Sequence, residues 1–455
     1  MSLARLGAPA LLGLVLAQGA VAEPTDPTDT AVEDRLRARD DRIEELERKL
    51  ETLADELSRV RTQVAVPEEA GLKSAYGLGP AASKIYGIER GLSIGGYAEA
   101  FYTNFVGDDD AGSDSVGGVP ISDEVLDRSD FLRMVMYLGY KFNESILFNS
   151  EIEYEHATTE ATSSAGGGSV SVEFAALDFL WKEWANPRVG LLLLPMGFLN
   201  EVHEPPFFNG VQRPETERRI IPTTWRENGM GLFGRFGEEL EYRTYVVTGF
   251  NARGFSDAGV RGGRQQGDRA LAEDLAWVTR LDWTPIPELL LGGSYYVGDS
   301  GQDQTVAGVD IPGARLNLFE VHGQYRRGRL DARSVFAMSF LSDARELTNA
   351  LGLAANRPVA DEMLGAYVEV AYDVWDLFFN GGKYLAPFVR VEYVDTQYDV
   401  PSDFTANRNR AFWLVTPGIT FKPHPNVVLK LEYRNFNPRE GEIPDELSIG
   451  MGLAF

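Results

Sequence analysis

From Gly91 to the last residue, apolar side chains return at every second position, in one segment after another. In Leu447–Phe455, Leu447, Ile449, Met451, Leu453 and Phe455 share one face, and only Ser, Gly and Ala occupy the other. Val427, Leu429, Leu431 and Tyr433 likewise oppose Lys430, Glu432 and Arg434, while Ile146, Phe148, Ile152 and Tyr154 oppose Asn149, Glu151, Glu153 and Glu155. A period of two belongs to β-strands with one apolar and one polar face. Segmenting by alternation gives sixteen strands, near 90–105, 129–142, 144–158, 170–183, 187–195, 228–237, 239–252, 273–285, 287–298, 315–327, 329–341, 362–374, 384–398, 408–422, 426–437 and 446–455.

The connections sort by length. Tight ones at Asn143, Gly237-Glu238, Pro285-Ile286, Gly328 and Lys422–Pro425 alternate with long polar ones near 106–128, 159–169, 196–227, 253–272, 299–314 and 342–361. An even strand number with short links on one side and long links on the other is the pattern of an outer-membrane barrel. A soluble sandwich has no reason to segregate its links this way. At membrane depth every backbone N–H and C=O needs an internal partner, so such a sheet must close. Trp181, Trp184, Trp283 and Trp375 fall near strand ends, where an interfacial girdle wants them; an aromatic core is the alternative. The expected fold is therefore all-β, a sixteen-stranded antiparallel transmembrane barrel over residues 90–455 with a water-filled lumen.

The N-terminal part obeys other periods. Met1–Ala22 has Arg5, the apolar run Leu11–Ala17 and the small-residue exit Ala20-Val21-Ala22, which together read as a secretory signal peptide. Residues 23–66 carry a heptad seam, with Leu36, Ile43, Leu50, Leu57 and Val64 at one core position and Val32, Leu46, Leu53 and Val60 at the other. Only Arg39 interrupts it, and Arg42, Glu47, Lys49 and Glu56 flank it. That spacing predicts an α-helical coiled-coil stalk, hence self-association. Residues 67–89, rich in glycine and proline, read as a linker.

Composition narrows the function. With 68 Asp+Glu against 43 Lys+Arg and a net charge of −25, the chain carries the same sign of charge as nucleic acid and would repel it. The absence of cysteine excludes disulfides and thiolate chemistry. Export without cysteine fits a Gram-negative envelope protein.

The opening Gly95–Tyr102, the stretch Pro195–Pro205, the segment Ile221–Glu227 and the terminal Phe455 resemble the phosphate-selective porin O and P group of outer-membrane porins, over most of the mature chain. The resemblance implies a homotrimer, a third long link folded into the lumen and diffusion of small anions. It also implies that Phe455 acts as an assembly signal. Where that group lines its pore with rows of arginine and lysine, the lumen face here carries both signs. Pore-lining candidates are Arg133, Arg243, Arg280, Arg333, Arg390, Lys430 and Arg434 with Glu99, Glu151, Glu153, Glu392 and Glu432.

The link 196–227 is the longest. As a constriction it would place His203, Glu204, Arg213, Glu217, Arg218 and Arg219 in the path of solutes; as an external loop it would cap the mouth. His203-Glu204 suggests a metal or acid–base pair, but further histidine ligands exist only at 156, 322 and 424, so the sequence assigns no metal and no cofactor. Gly91-Leu92-Ser93-Ile94-Gly95 fits a nucleophile elbow by letter, yet the strand pattern runs straight through it, and no catalytic residue is assigned. Asp108–Asp110 with Asp114 could gather divalent cations at the lipopolysaccharide surface or simply be a solvated loop. The expected function is passive diffusion of small hydrophilic or ionic solutes across the bacterial outer membrane, with lipid and lipopolysaccharide outside and the stalk in the periplasm. The alternative is a structural protein tethering the membrane to peptidoglycan through the stalk.

Overall fold

The computed structural model describes residues 39, 41–50, 52, 73–106, 126–160 and 167–455. The signal peptide, most of the heptad seam and the Asp108–Asp114 run lie outside the described residues. The chain divides into two units, Met1–Arg61 and Thr62–Phe455. In the first, residues 41–50 are helical, and Ile43, Leu46 and Leu50 of the seam are exposed.

The second unit is a closed barrel. Its strands are β1 (Gly91–Val106), β2 (Arg128–Asn143), β3 (Ile146–Glu155), β4 (Val170–Phe179), β5 (Asn186–Leu193), β6 (Arg226–Phe236), β7 (Leu240–Thr248), β8 (Leu275–Ile286) and β9 (Leu289–Gly298). They continue, after a small hairpin of β10 (Thr305–Val306) and β11 (Val309–Asp310), with β12 (Leu316–Arg327), β13 (Leu330–Leu341), β14 (Glu362–Tyr372), β15 (Tyr384–Asp399), β16 (Ala411–His424), β17 (Val427–Pro438) and β18 (Asp445–Ala454). All but the hairpin join one ring of sixteen antiparallel strands. β18 closes on β1 from Tyr97↔Ala454 to Val106↔Asp445, and Phe455 and Gly96 exchange both backbone hydrogen bonds.

Each strand agrees with its predicted range to within a few residues, because an apolar outer face and a polar or packed inner face impose the alternation residue by residue. Leu429, Leu431, Ile449, Met451 and Leu453 face outward and are exposed, while Lys430, Glu432 and Ser448 point inward and are buried. The short turns are built by local chemistry: the Asn143 side chain accepts the N–H groups of Ser145 and Ile146, and Gly328 takes the left-handed φ of 60° that its turn requires. Trp181, Trp184 and Trp283 are exposed at the end of the barrel that carries the short links, and Trp375 lies in the link between β14 and β15 at that same end. Ser93 lies inside β1, which excludes the elbow geometry.

Two expectations are corrected. Residues 73–89, predicted as a linker, pack inside the barrel. Leu78, Ala81, Ala82, Ile85 and Ile88 are buried, the first three against inward Tyr97, Val135, Tyr137 and Phe174, the last two beside Leu147. Glycine and proline there serve close packing: a Cβ on Gly79 would meet the Glu204 carboxylate at 2.3 Å. The lumen is also not wet throughout. Towards the long links, inward Val278, Tyr296, Leu316, Leu318, Val335 and Ala337 form one apolar core with Met196, Ile220, Ile221, Trp225, Phe250, Phe255 and Val260 from in-folded links. Alternation cannot reveal this, since an inward apolar residue among charged ones reads as noise until its partner is known.

Candidate functional site

The pore-lining candidates Arg133, Arg243, Arg280, Arg333, Arg390, Lys430, Arg434, Glu99, Glu151, Glu153, Glu392 and Glu432 all stand on the inward faces of their strands. Most of them join a belt of ion pairs. Arg133 bridges Glu99 and Glu153 at 2.8 Å each, and Arg390 bridges Glu369 at 3.1 Å and Glu392 at 2.8 Å. Arg243 and Arg280 share Asp282, whose other oxygen contacts His322 at 2.9 Å. Arg333 lies 3.3 Å from Glu369, and Arg434 is held by Glu446 at 2.7 Å. Lys430 sits over the ring of Phe208, 3.5 Å from its centroid. Buried charges are tolerable only when compensated in this way.

The link 194–225 crosses this belt. Its two ends are clipped together by Asn200, which accepts the Trp225 N–H at 2.6 Å and donates to the carbonyls of Leu194 at 2.7 Å and Trp225 at 2.9 Å. Trp225 is buried against Phe250 and Tyr296, with ring centroids 4.6 and 4.8 Å away. From this clip the chain runs to one wall, where the His203 imidazole lies 3.3 Å from Glu151 on β3 and 3.4 Å from Glu173 on β4. Burial works against a charged imidazole, but Glu151 and Glu173 more than offset it and raise the His203 pKa to about 9. Glu204 beside it accepts the N–H groups of Ala81 at 2.9 Å and Ala82 at 3.4 Å, tying the link to the inserted N-terminal segment.

The link then reaches the opposite wall. Asn209 donates to Glu369 on β14 at 3.1 Å, and β4 and β14 stand eight strands apart in the ring of sixteen. The backbone N–H groups of Val211 and Gln212 donate to Glu432 at 2.9 and 2.8 Å, and that of Thr216 to Glu392 at 3.2 Å. Glu217 accepts the Tyr367 hydroxyl at 2.7 Å. Glu392 and Glu432, expected as pore-lining charges, accept backbone N–H groups of the link and so serve as its anchors.

What remains for solvent is mostly positive. Glu215 and Glu217 are buried, whereas Arg213, Arg218 and Arg219 are half-buried on the same stretch. The Arg218 side chain is 25% exposed and its partner Glu215 only 1%. Burial disfavours the charged form of Glu215, but Arg218, Arg219 and Arg434 hold it well below the usual carboxylate range. A second in-folded link, 249–274, adds Arg261 and Arg264. Arg261 donates to the Arg218 and Thr223 carbonyls, Arg264 to those of Pro222 and Thr224, and both residues are half-buried. The sequence reading missed these two. Their only signal was a pair of arginines in a glycine-rich link, which by itself reads as a solvated loop.

No family model matches the chain. It is 35% identical over 384 residues to an uncharacterized protein of Aquifex aeolicus (strain VF5), covering 82% of each chain. The chain belongs to that protein's family. Among solved structures it is similar to OmpF of Salmonella typhi, solved in complex with daunomycin, at 14% identity and a TM-score of 0.53, over 81% of this chain and 98% of that one. The outer-membrane channel DcaP of Acinetobacter baumannii gives 11% identity and a TM-score of 0.49, over 81% and 98%. The ring of sixteen strands and the likeness to OmpF give this family member the sixteen-stranded porin fold.

Proposed function

We propose that this chain is an outer-membrane porin, a homotrimer set in lipid and lipopolysaccharide, through which small hydrophilic solutes diffuse passively with anions such as phosphate favoured. Kinship with the phosphate-selective porin O and P group is part of this reading. The apolar exterior matches hydrocarbon, while the polar interior spares a solute the cost of losing its hydration in lipid. The observation that carries the reading is the asymmetry at the crossing. The acids there are buried and paired, while Arg213, Arg218, Arg219, Arg261 and Arg264 keep part of their surface in solvent. Such a surface concentrates anions where the link crosses the barrel. Passage needs no catalytic group.

In planar bilayers the purified protein is expected to give stepwise conductance, with a reversal potential in a KCl gradient of the sign for chloride over potassium. A barrel that inserts yet gives no steps would remove the channel, and a potassium-side reversal potential would remove the anion preference.

The exposed Ile43, Leu46 and Leu50 on a helical stretch favour a second role, in which stalks associate and tether the membrane to peptidoglycan. Deleting residues 23–66 is expected to leave the conductance steps unchanged and to abolish co-sedimentation with peptidoglycan. Equal co-sedimentation of both forms would rule the tether out.

A further inference from the structure

We propose that Glu151, Glu173 and His203 form a binding site for a divalent transition-metal ion such as Zn²⁺, which pins the crossing link to the barrel wall. The three side chains come from separate elements: β3, β4 and the link. A β-bulge makes the arrangement possible. Glu151 pairs with Phe174 and Ile152 with Val172, so Glu173 is the extra residue, and both it and Phe174 turn into the lumen. Bulges re-aim side chains in this manner beside functional sites.

The spacing fits shared coordination better than hydrogen bonding. His203 Nε2 stands 3.3 Å from Glu151 Oε1 and 3.4 Å from Glu173 Oε2, and the possible ligand atoms of all three residues lie within 4.8 Å of one another. A charge-assisted N–H···O bond is about 2.7–2.9 Å. Atoms each about 2.0–2.2 Å from one tetrahedral ion stand about 3.3–3.6 Å apart.

Satisfaction points the same way. All three residues are almost completely buried, yet Glu151 Oε2 and Glu173 Oε2 have no hydrogen-bond partner among the described residues. Orphaned carboxylate oxygens at such depth are costly. Among the described residues, Arg226, 3.0 Å from Glu173 Oε1, is the guanidinium that pairs with either carboxylate, while Arg133 is engaged by Glu99 and Glu153. Two glutamates and one imidazole are the donor set of zinc and its neighbours, with room for one further ligand from water or the Tyr97 hydroxyl, 3.4 Å from Glu151 Oε1. Because Glu204 follows His203 and holds the inserted segment at Ala81 and Ala82, an ion here would fix link and segment together.

The test uses the full folded protein in detergent, stripped with chelator and reloaded with Zn²⁺ or Co²⁺, and it does not depend on conduction. About one metal ion per chain is expected by elemental analysis, with a saturable Co²⁺ absorption of low-coordinate type. His203→Gln and Glu173→Gln should each reduce retained metal at least tenfold, and His156→Gln, at an exposed histidine, should not. Heat-modifiability on gels reports whether each variant folds; should the first two fail, the wild-type Co²⁺ spectrum decides. Less than about a tenth of an ion per wild-type chain, or a Co²⁺ spectrum showing no saturable site, would overturn the proposal and leave a protonated imidazole between two carboxylates.

Discussion

Replacing Arg213 and Arg218 together with glutamate should turn the proposed anion-favouring channel cation-favouring, with at least a tenfold change in permeability ratio. The double change moves four units of charge on a stretch where the neighbouring acids Glu215 and Glu217 are already buried. A unit charge at about 4 Å is worth roughly 1 kcal/mol in water and about 4 kcal/mol at the lower dielectric of a protein surface, so tenfold is the modest end. Glu215 keeps Arg219 at 2.6 Å and Arg434 at 2.5 Å, so the link stays anchored. The reversal potential in a tenfold KCl gradient should change sign. The effect should shrink as salt rises towards 1 M, where the screening length falls to about 3 Å. An unchanged reversal potential at low salt would mean that ions do not pass the arginines.

Removing residues 73–88 should raise single-channel conductance at least twofold and admit larger solutes. This segment occupies the lumen beside β1 to β5 and leaves the strand ladder intact, because the ring closes through β1 and β18 without it. Its polar ties to the wall and link include Glu204 to Ala81 and Ala82, Asn149 to the Ala82 carbonyl at 2.9 Å, Tyr86 to Asp178 at 2.5 Å, Arg188 to the Tyr76 carbonyl at 3.3 Å and the Tyr86 hydroxyl at 2.8 Å, and Lys141 to the Ile88 carbonyl at 2.7 Å. Arg188 still pairs with Asp178 at 2.7 Å after the deletion, so no guanidinium is stranded there. Ile85→Asp offers a milder version, placing a charge in a fully buried site and expelling the segment. Equal conductance in wild type and both variants would show that solutes take a route away from this wall.

The barrel was legible because each strand residue meets one of two environments, and that choice repeats at the period of the backbone itself. Inward placement of Arg390, Glu392 and Glu432 followed directly. Their pairing did not. Arg434 meets Glu215 across 219 positions and Val211 meets Glu432 across 221, distances over which no local pattern carries information. The bulge that turns Glu173 inward beside Phe174 adds one residue to one strand and shifts the parity on which the reading depends. His203 stands apart from the other histidines in the sequence, and the carboxylates that meet it lie on two strands of the wall.

The sequence by itself determined strand number, the inward and outward faces and the segregation of short and long links, since these are fixed by hydrophobic transfer acting on neighbours two residues apart. Only the tertiary structure decided that a link and an N-terminal segment enter the barrel, that wall acids hold them, and that arginines are what solvent meets at the crossing. Those outcomes depend on which buried charges and backbone N–H groups find each other across the ring, and burial makes every unpaired one expensive enough to dictate the arrangement.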